Sequence, residues 1–266
     1  MKKFLFFSWL LVLMMISAAC GSEAGKVSSK SPAPDSIKII TTAGGYPFAA
    51  KNKETGEVEG FMTDIMNELA ARIDLKTTLV TGDWNSLIPS VQSGKADVIV
   101  DGMYITEERE KVINFTDPVF AYGEGLIVKE GDTTTKSLED LKGKTVGVQL
   151  GTSFKDMLEE KNQDLGLNIK TYQTLADMLK DIQTGRIDAV LGDSPSFSYL
   201  LSTNPKMKFR IVEEYEPSLV GQIGIGIAEE NTELVGKLNE EIKKMKEDGT
   251  MKEIYEKWAV DWDFNE

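Results

Sequence analysis

The stretch VQSGKADVIVDGMYITEER, residues 91–109, decides the fold of this chain. It begins as the end of a helix, turns at Gly94 and continues as an apolar strand over residues 97–100. The strand leads into a short polar loop that ends at Arg109. Further along, IQTGRIDAVLGD at residues 182–193 repeats the first half of this pattern. The repetition predicts two equivalent helix-glycine-strand units, one in each of two lobes.

Strands and amphipathic helices alternate along the rest of the chain, which favours parallel or mixed sheets of an α/β fold. Strands are predicted at residues 36–42, 77–81, 145–149 and 168–172, and helices at residues 62–73, 175–182, 194–201 and 229–258. A hairpin is predicted at residues 52–60, and Asp83 is the predicted N-cap of a helix that carries Leu87, Ile88 and Val91.

Two extended runs punctuated by glycine, at residues 121–132 and 221–227, separate these units into two sets. Such runs predict two hinged lobes joined by two crossing strands. We expect lobe 1 to comprise residues 36–124 and 223–266, and lobe 2 to comprise residues 125–222. Polar residues end both repeated strands, and ligands in open α/β sheets bind outside the carboxyl ends of strands. The pattern therefore indicates a ligand cleft between the lobes.

The composition excludes several classes of function. With 30 basic and 43 acidic residues the 266-residue chain has a formal charge of −13, which argues against nucleic acid or anionic lipid as the partner of the folded part. It contains no histidine, so the commonest general base and metal ligand is missing. Cys20 is its only cysteine, so no internal disulfide can form. We expect no cofactor and no metal site.

The N-terminus has the pattern of an export signal. Lys2 and Lys3 precede an apolar run at residues 4–16 that is shorter than the roughly 20 residues needed to span a bilayer. Ser-Ala-Ala-Cys follows and resembles the bacterial lipobox, which implies that Cys20 becomes a lipidated (palmitate-bearing) N-terminus and a membrane anchor. The alternative is an ordinary signal peptide with an incidental cysteine. We expect a lipoprotein signal peptide at residues 1–19 and a flexible tether, rich in Gly, Ser, Ala and Pro, at residues 20–35.

Residues 37–258 resemble the extracytoplasmic solute-binding proteins of bacterial polar amino acid ABC importers. The matching segments are YPF (46–48), GEVEGFMTDIMNELA (56–70), DWNSLIPSVQSGKADVIVDGMYITEER (83–109), INFTDPV (113–119), SLEDLKGKTVGVQLGTS (137–153), GRIDAVLGD (185–193) and DGTMKEIYEKW (248–258). The resemblance implies the two-lobed type II periplasmic-binding-protein fold with two crossover hinge strands. It also implies a monomer that takes up a small zwitterionic ligand outside the cell and delivers it to a permease and ATPase complex.

The resemblance assigns the two charges that an amino acid requires. Arg109 matches the arginine that grips the ligand carboxylate with a bidentate fork, and Asp193 matches the lobe-2 aspartate that holds the α-ammonium group. Because one partner lies in each lobe, the ligand itself would stabilise the closed form. The alternatives are a surface ion pair of Arg109 with Glu107 or Glu110, and a purely capping role for Asp193 at the helix that starts at Ser194.

Five further positions match family contacts. Trp84 matches an aromatic or aliphatic wall against the ligand side chain, although a buried core tryptophan is the rival interpretation. Gly102 matches a position whose backbone approaches the ligand carboxylate. Gln149 and Ser153 match a side-chain contact and a carboxylate contact at a helix N-terminus. Tyr46 lies one residue nearer the following proline than the stacking aromatic of the family.

Two departures from the family pattern concern the ligand. Tyr104 stands where amino acid binders usually carry Ser or Thr, and Asp101 stands where a small neutral residue is common. Aromatic faces from Trp84, Tyr104 and Tyr46, together with added negative charge, suit a cationic group. The resemblance implies that the ligand is an amino acid or a related small zwitterion. The two departures favour the alternative, a cationic amino acid or a compatible solute of the ectoine or betaine type.

Two other functions use the same fold. A dehydratase-type enzyme would need a general acid or base in the cleft, and without histidine that role would fall to Asp101, Asp193 or a tyrosine. A sensor would need a transmembrane signalling partner on a separate chain. A binding protein without enzymatic activity is the main prediction.

Overall fold

The computed structural model describes residues 36–260. The predictions for residues 1–35, which include Cys20, the signal peptide and the tether, lie outside the described residues, as do residues 261–266.

Strands and helices alternate as predicted, and their bounds follow in chain order. The strands are β1 (Ser36–Thr41), β2 (Gly44–Gly45), β3 (Ala49–Lys51), β4 (Val58–Glu59), β5 (Lys76–Thr81), β6 (Val98–Ile99), β7 (Asn114–Phe115), β8 (Phe120–Lys129), β9 (Thr145–Gln149), β10 (Asn168–Tyr172), β11 (Ala189–Asp193), β12 (Phe209–Ile211), β13 (Val220–Ile223) and β14 (Gly226–Ile227). The α-helices are α1 (Phe61–Arg72), α2 (Leu87–Gln92), α3 (Glu107–Glu110), α4 (Ser153–Leu165), α5 (Leu175–Gln183), α6 (Ser194–Thr203), α7 (Thr232–Glu247) and α8 (Thr250–Lys257).

Two mixed sheets define two lobes. The sheet of lobe 1 has the strand order β5-β1-β6-β14-β7, and the sheet of lobe 2 has the order β10-β9-β11-β8-β12. The strands β8 and β13 connect the lobes and pair with each other in antiparallel register, from Phe120 with Ile223 to Gly123 with Val220. The predicted α/β class, with two lobes and two crossover strands, is confirmed. The residue bounds expected for each lobe stay a prediction.

The repeated sequence unit ties together equivalent strands in the two lobes. The Asp97 carboxylate accepts the backbone N–H of Lys38 at 2.6 Å, and the Asp188 carboxylate accepts that of Thr145 at 2.9 Å. The two aspartates also donate their own backbone N–H groups to the carbonyls of Lys38 and Thr145, each at 2.8 Å. The turn before each aspartate is a glycine with positive φ, Gly94 at 69° and Gly185 at 74°. The aspartate of each repeat thus fixes the start of one strand beside its neighbour, β6 beside β1 and β11 beside β9.

The helix α1 shows how the sequence pattern builds the core of lobe 1. Its apolar residues recur at helical spacing, and they lie on the face that packs against the sheet. Met62, Ile65, Met66 and Leu69 are all fully buried. The predicted hairpin is confirmed by the antiparallel pairing of β3 with β4.

The predicted helical character of residues 229–258 is confirmed over α7 and α8; Gly249, with a left-handed φ of 86°, separates the two helices. One prediction about local structure was wrong. Asp83 precedes a 3-10 turn, Trp84–Ser86, and its side chain makes no capping hydrogen bond; the α-helix begins only at Leu87. Across the described residues, no helix combines the length and apolar character that crossing a membrane requires.

Candidate functional site

A cavity of about 120 Å³ lies between the lobes, where the strands β6, β9 and β11 end. A water molecule needs a cavity of only ~10–15 Å³, so this one has room for several waters or one small molecule. All of the predicted ligand-binding residues except Tyr46 line the cavity: Trp84, Asp101, Gly102, Tyr104, Arg109, Gln149, Ser153 and Asp193.

Arg109 brings a cation to the lobe-1 side of the cavity. Its Nη1 donates to the carbonyl of Tyr104 at 2.7 Å, and its guanidinium carbon lies 5.8 Å from the ring centroid of Trp84. Burial lowers the pKa of Arg109, but an arginine remains cationic at any physiological pH. No carboxylate of residues 36–260 lies within 4.0 Å of its guanidinium nitrogens, so the alternative of a surface ion pair is not seen. Arg109 therefore presents unpaired N–H donors to an anion.

The N-terminus of α4 faces Arg109 from lobe 2. Ser153 is the first residue of this helix, and the Thr152 side chain caps it by accepting the N–H of Lys155 at 3.3 Å. Gln149, at the end of β9, donates its side-chain amide to the carbonyl of Gln173 at 3.1 Å. The positive end of a helix dipole favours an anion. The two lobes thus present positive potential to the same part of the cavity.

Asp193 brings a carboxyl group to the lobe-2 side of the cavity. It ends β11 and occupies the N-cap position of α6, yet its side chain makes no capping hydrogen bond. Instead, Oδ1 lies 2.7 Å from the hydroxyl oxygen of Tyr122. Burial raises the pKa of Asp193 to about 6, the nearby charge of Asp101 also raises it, and the bond from Tyr122 lowers it. No cationic side chain pairs with Asp193 in the described part of the chain.

Asp101 lines the cavity as a second acidic residue, and its carboxylate oxygens are engaged by hydrogen bonds within the protein. Its Oδ2 accepts the hydroxyl of Thr41 at 2.9 Å and both the N–H and the hydroxyl of Thr42 at 2.8 Å. Its Oδ1 accepts the N–H of Gly102 at 2.8 Å. The carboxylate therefore braces the end of β1 against the end of β6. Its charge acts on Asp193, while its oxygens and the Gly102 N–H are already engaged.

Three aromatic rings form one wall of the cavity. The Tyr104 ring centroid lies 4.9 Å from that of Tyr122 and 5.3 Å from that of Phe154, in edge-to-face arrangements. The Tyr104 hydroxyl donates to the carbonyl of Tyr122. A Cβ at position 221 would overlap the Tyr104 ring, so Gly221 in β13 leaves the space that the ring fills.

Trp84 and Tyr46 make contacts between the lobes. Trp84 is partly buried, lines the cavity and donates its indole N–H to the carbonyl of Gly151 in lobe 2 at 2.9 Å. Tyr46 lies outside the cavity wall. Its ring stacks on Tyr199 of α6 at 4.9 Å and on Trp258 at 5.9 Å. These direct contacts show that the cleft is closed.

Sequence reasoning missed several residues that line the cavity, chiefly Phe48, Tyr122, Thr152, Phe154 and Ser196. Thr152 and Phe154 flank Ser153, which was predicted as a site residue, but their own positions in the cavity wall were not predicted. Tyr122 lies in a run interpreted only as a connection. Among residues 36–260 no group of three or more metal-ligating side chains occurs.

The fold and the cleft define a two-lobed binding protein with complementary charges facing one cavity. The model of the family "Bacterial extracellular solute-binding proteins, family 3" matches residues 37–261. The chain belongs to this family, whose members are extracellular solute-binding proteins.

Individual relatives agree with this assignment. "Probable amino-acid-binding protein YxeM" of Bacillus subtilis (strain 168) is 33% identical over 253 residues, covering 94% of each chain. "An ancestral arginine-binding protein bound to arginine" matches with a TM-score of 0.79 and 37% identity, covering 84% of this chain and 98% of that one. "The ancestral amino acid-binding protein AncCDT-1, a precursor of cyclohexadienyl dehydratase" has a TM-score of 0.75 and 32% identity, covering 84% of this chain and 95% of that one.

Proposed function

We propose that this chain binds an amino acid or a related small zwitterion in the interlobe cleft. Arg109 and the N-terminus of α4 hold the carboxylate, and Asp193 holds the ammonium group. The observation that carries the proposal is the presence of two opposite charges in one cavity without partners of their own among the described residues. An unpaired charge removed from solvent is costly, and a zwitterion supplies both missing partners at once.

The remaining cavity residues have roles in selecting the ligand side chain. Trp84 and Gln149 lie on opposite lobes and contact it from two sides. Tyr104 narrows the pocket, while Gly102 and Ser153 flank the carboxylate position. Tyr46 acts through its contact with Tyr199 rather than by touching the ligand.

A second candidate ligand is a cationic amino acid or a compatible solute of the ectoine or betaine type. The rings of Tyr104, Tyr122 and Phe154 favour it, because aromatic faces attract alkylated or delocalised cations.

The bound solute is delivered to an ABC permease and ATPase complex in the membrane. This proposal rests on the family and on relatives named for amino acid binding, among them "Putative ABC transporter arginine-binding protein 2". We infer a monomeric binding protein rather than an enzyme. The oxygens of Asp101 are engaged by four internal donors, and the close relatives are binding proteins.

We further propose that Cys20 carries a lipid anchor that holds the protein on the extracytoplasmic face of the membrane. The pattern of residues 1–20 supports it. Palmitate labelling of cells that express the wild type should mark the protein, and Cys20→Ala should abolish both the label and the membrane fraction. Equal membrane retention of Cys20→Ala would contradict the anchor.

A thermal-shift panel tests the proposed function. The panel contains L-arginine, L-histidine, L-glutamine, glycine betaine and ectoine. A ligand at 100 times its Kd stabilises the native state by about 2.7 kcal/mol, which raises Tm by roughly 5–10 °C for a protein of this size. At least one member should give such a shift. The absence of a shift with every member would contradict the proposal.

A further inference from the structure

Tyr122 lies at the junction of the lobes, on the crossing strand β8, and no role was assigned to it from the sequence. It is 7% exposed. Its ring is held between Phe48, with centroids 5.0 Å apart, and Tyr104, with centroids 4.9 Å apart. Its orientation is therefore fixed. Its hydroxyl oxygen lies 2.8 Å from the carbonyl oxygen of Gly102 in lobe 1 and 2.7 Å from Oδ1 of Asp193 in lobe 2.

The hydroxyl of Tyr122 cannot satisfy both acceptors when Asp193 is ionised. A phenol carries one proton, and both Gly102 O and the carboxylate only accept. If Asp193 carries a proton, it donates to the Tyr122 oxygen, and Tyr122 donates to Gly102. If Asp193 is ionised, the Tyr122 hydroxyl donates its hydrogen bond to Asp193, and the Gly102 carbonyl loses this donor. The protonation state of Asp193 therefore decides which of the two acceptors the Tyr122 hydroxyl bonds.

The charged surroundings leave Tyr122 as the donor that stabilises an ionised Asp193. Asp101 faces Asp193 from the loop after β6 and disfavours its charge. Glu124 is its register partner on β8 and is also acidic. Tyr104 packs against Tyr122, and burial raises its pKa, so it stays a neutral phenol. Arg109 makes no ion pair with Asp193. No cation from the described elements offsets the two neighbouring carboxylates.

We propose that Tyr122 is a positioning residue that couples the two halves of the binding site through its single hydroxyl proton. At acidic pH, where Asp193 of the ligand-free closed cleft is protonated, Tyr122 donates its hydrogen bond to the Gly102 carbonyl. When an ammonium group binds, Asp193 releases its proton to solvent. Tyr122 keeps its own proton, donates its hydrogen bond to the ionised carboxylate, and leaves the Gly102 carbonyl as a second acceptor for the ammonium N–H groups. This inference rests on the proposed function, because it assumes an ammonium group at Asp193.

The test compares Tyr122→Phe with the matched control Tyr215→Phe. The Tyr215 hydroxyl also donates to a carboxylate, Glu124 Oε1 at 2.7 Å, but Tyr215 does not line the cavity. Both variants lose one hydroxyl and keep the ring, and their melting curves check that they fold. Carbon-13 NMR follows the carboxyl of Asp193 in the ligand-free proteins from pH 4 to pH 9.

The titration midpoint of Asp193 should rise in Tyr122→Phe and stay at the wild-type value in Tyr215→Phe, because only the first variant loses the donor that favours the ionised form. Equal midpoints in the wild type and Tyr122→Phe would overturn the inference. This arm needs no ligand, so it decides the inference even if the proposed function fails.

Calorimetry with L-arginine and L-glutamine as probes examines the functional consequence. Wild-type affinity should fall as the pH falls below about 6, with proton release on binding. Tyr122→Phe should lose on the order of tenfold in affinity at pH 7, and its decline should begin at a higher pH. A loss that is the same at every pH would indicate a merely structural role and would also overturn the inference. Lack of binding of both probes to the wild type would count against the proposed function instead.

Discussion

Arg109 and Asp193 are held in the cleft without partners of opposite charge among the described residues. Each gives up part of its hydration, which lowers the pKa of the arginine and raises that of the aspartate. Both residues therefore destabilise the empty protein while preparing it for a zwitterion. Functional sites commonly conflict with stability in this way.

Replacing Arg109 by methionine should abolish binding of the best panel ligand without unfolding the protein. Two or more charge-assisted hydrogen bonds are lost, each worth about 1.5–3 kcal/mol, so affinity should fall at least about 100-fold. The melting temperature of the empty protein should not fall. Calorimetry measures the affinity, and Arg186→Met is the control, because Arg186 is an exposed arginine that pairs with Asp181 away from the cavity. Retained affinity in Arg109→Met would contradict its assigned role.

Replacing Asp193 by asparagine should stabilise the empty protein at alkaline pH. The folded-state pKa of Asp193 is about 6, against an ordinary value of 3.8, so the folded state binds its proton more tightly than the unfolded chain. Stability is therefore lost as the pH rises from about 4 through 6, and the loss is complete above 6. Asparagine does not ionise, so the free energy of unfolding of Asp193→Asn should exceed that of the wild type by about 1–2 kcal/mol at pH 8 and by less at pH 5. Urea unfolding at both pH values measures this, and a variant less stable than the wild type at pH 8 would be the contrary result.

Among the structural elements, contacts between the lobes that form without a ligand hold the closed form. The strands β8 and β13 form the connection, and the N-terminus of α4 approaches the 3-10 turn that begins at Trp84. On the other side of the cleft, Tyr199 of α6 stacks on Tyr46, which in turn stacks on Trp258. These contacts bias the hinge toward closure before any ligand contributes.

Replacing Tyr199 by alanine should weaken ligand binding although Tyr199 does not line the cavity. An aromatic pair contributes about 0.5–1.5 kcal/mol beyond its buried area, so affinity should fall roughly two- to tenfold. The change should appear as faster dissociation, because the lost contact exists only in the closed form. Stopped-flow fluorescence measures the rate. Tyr199→Phe, which keeps the stacked ring, should behave as the wild type, and equal dissociation rates in the alanine variant would argue against a closing role.

Elements governed by local patterns could be predicted from the sequence, and contacts between distant segments could not. The strands β9 and β10 have their predicted bounds, because apolar periodicity and flanking turns specify them. The pairing of Tyr122 with Asp193 joins positions 71 residues apart, and stacking of Tyr46 on Tyr199 depends on how the lobes close. Neither leaves a local signal. The family resemblance predicted Arg109 and Asp193 as site residues. Only the structure shows that neither forms an ion pair within the described part of the chain.

At the scale of the whole molecule, two lobes with their own sheets present opposite charges to one enclosed space. The arginine of the cavity lies in lobe 1, and its aspartate without a cationic partner among the described residues, Asp193, lies in lobe 2. A ligand that carries both a carboxylate and an ammonium group would therefore link the lobes and stabilise the closed form.

Calorimetry with three matched ligands tests whether the cleft requires both charged groups of a zwitterion. The ligands are the tightest-binding amino acid of the panel, its decarboxylated amine and its deaminated acid. Because Arg109 and Asp193 each require a partner, both analogues should bind at least about 100-fold more weakly than the amino acid. An analogue without the carboxylate or without the ammonium group that binds as tightly as the amino acid would contradict the central claim.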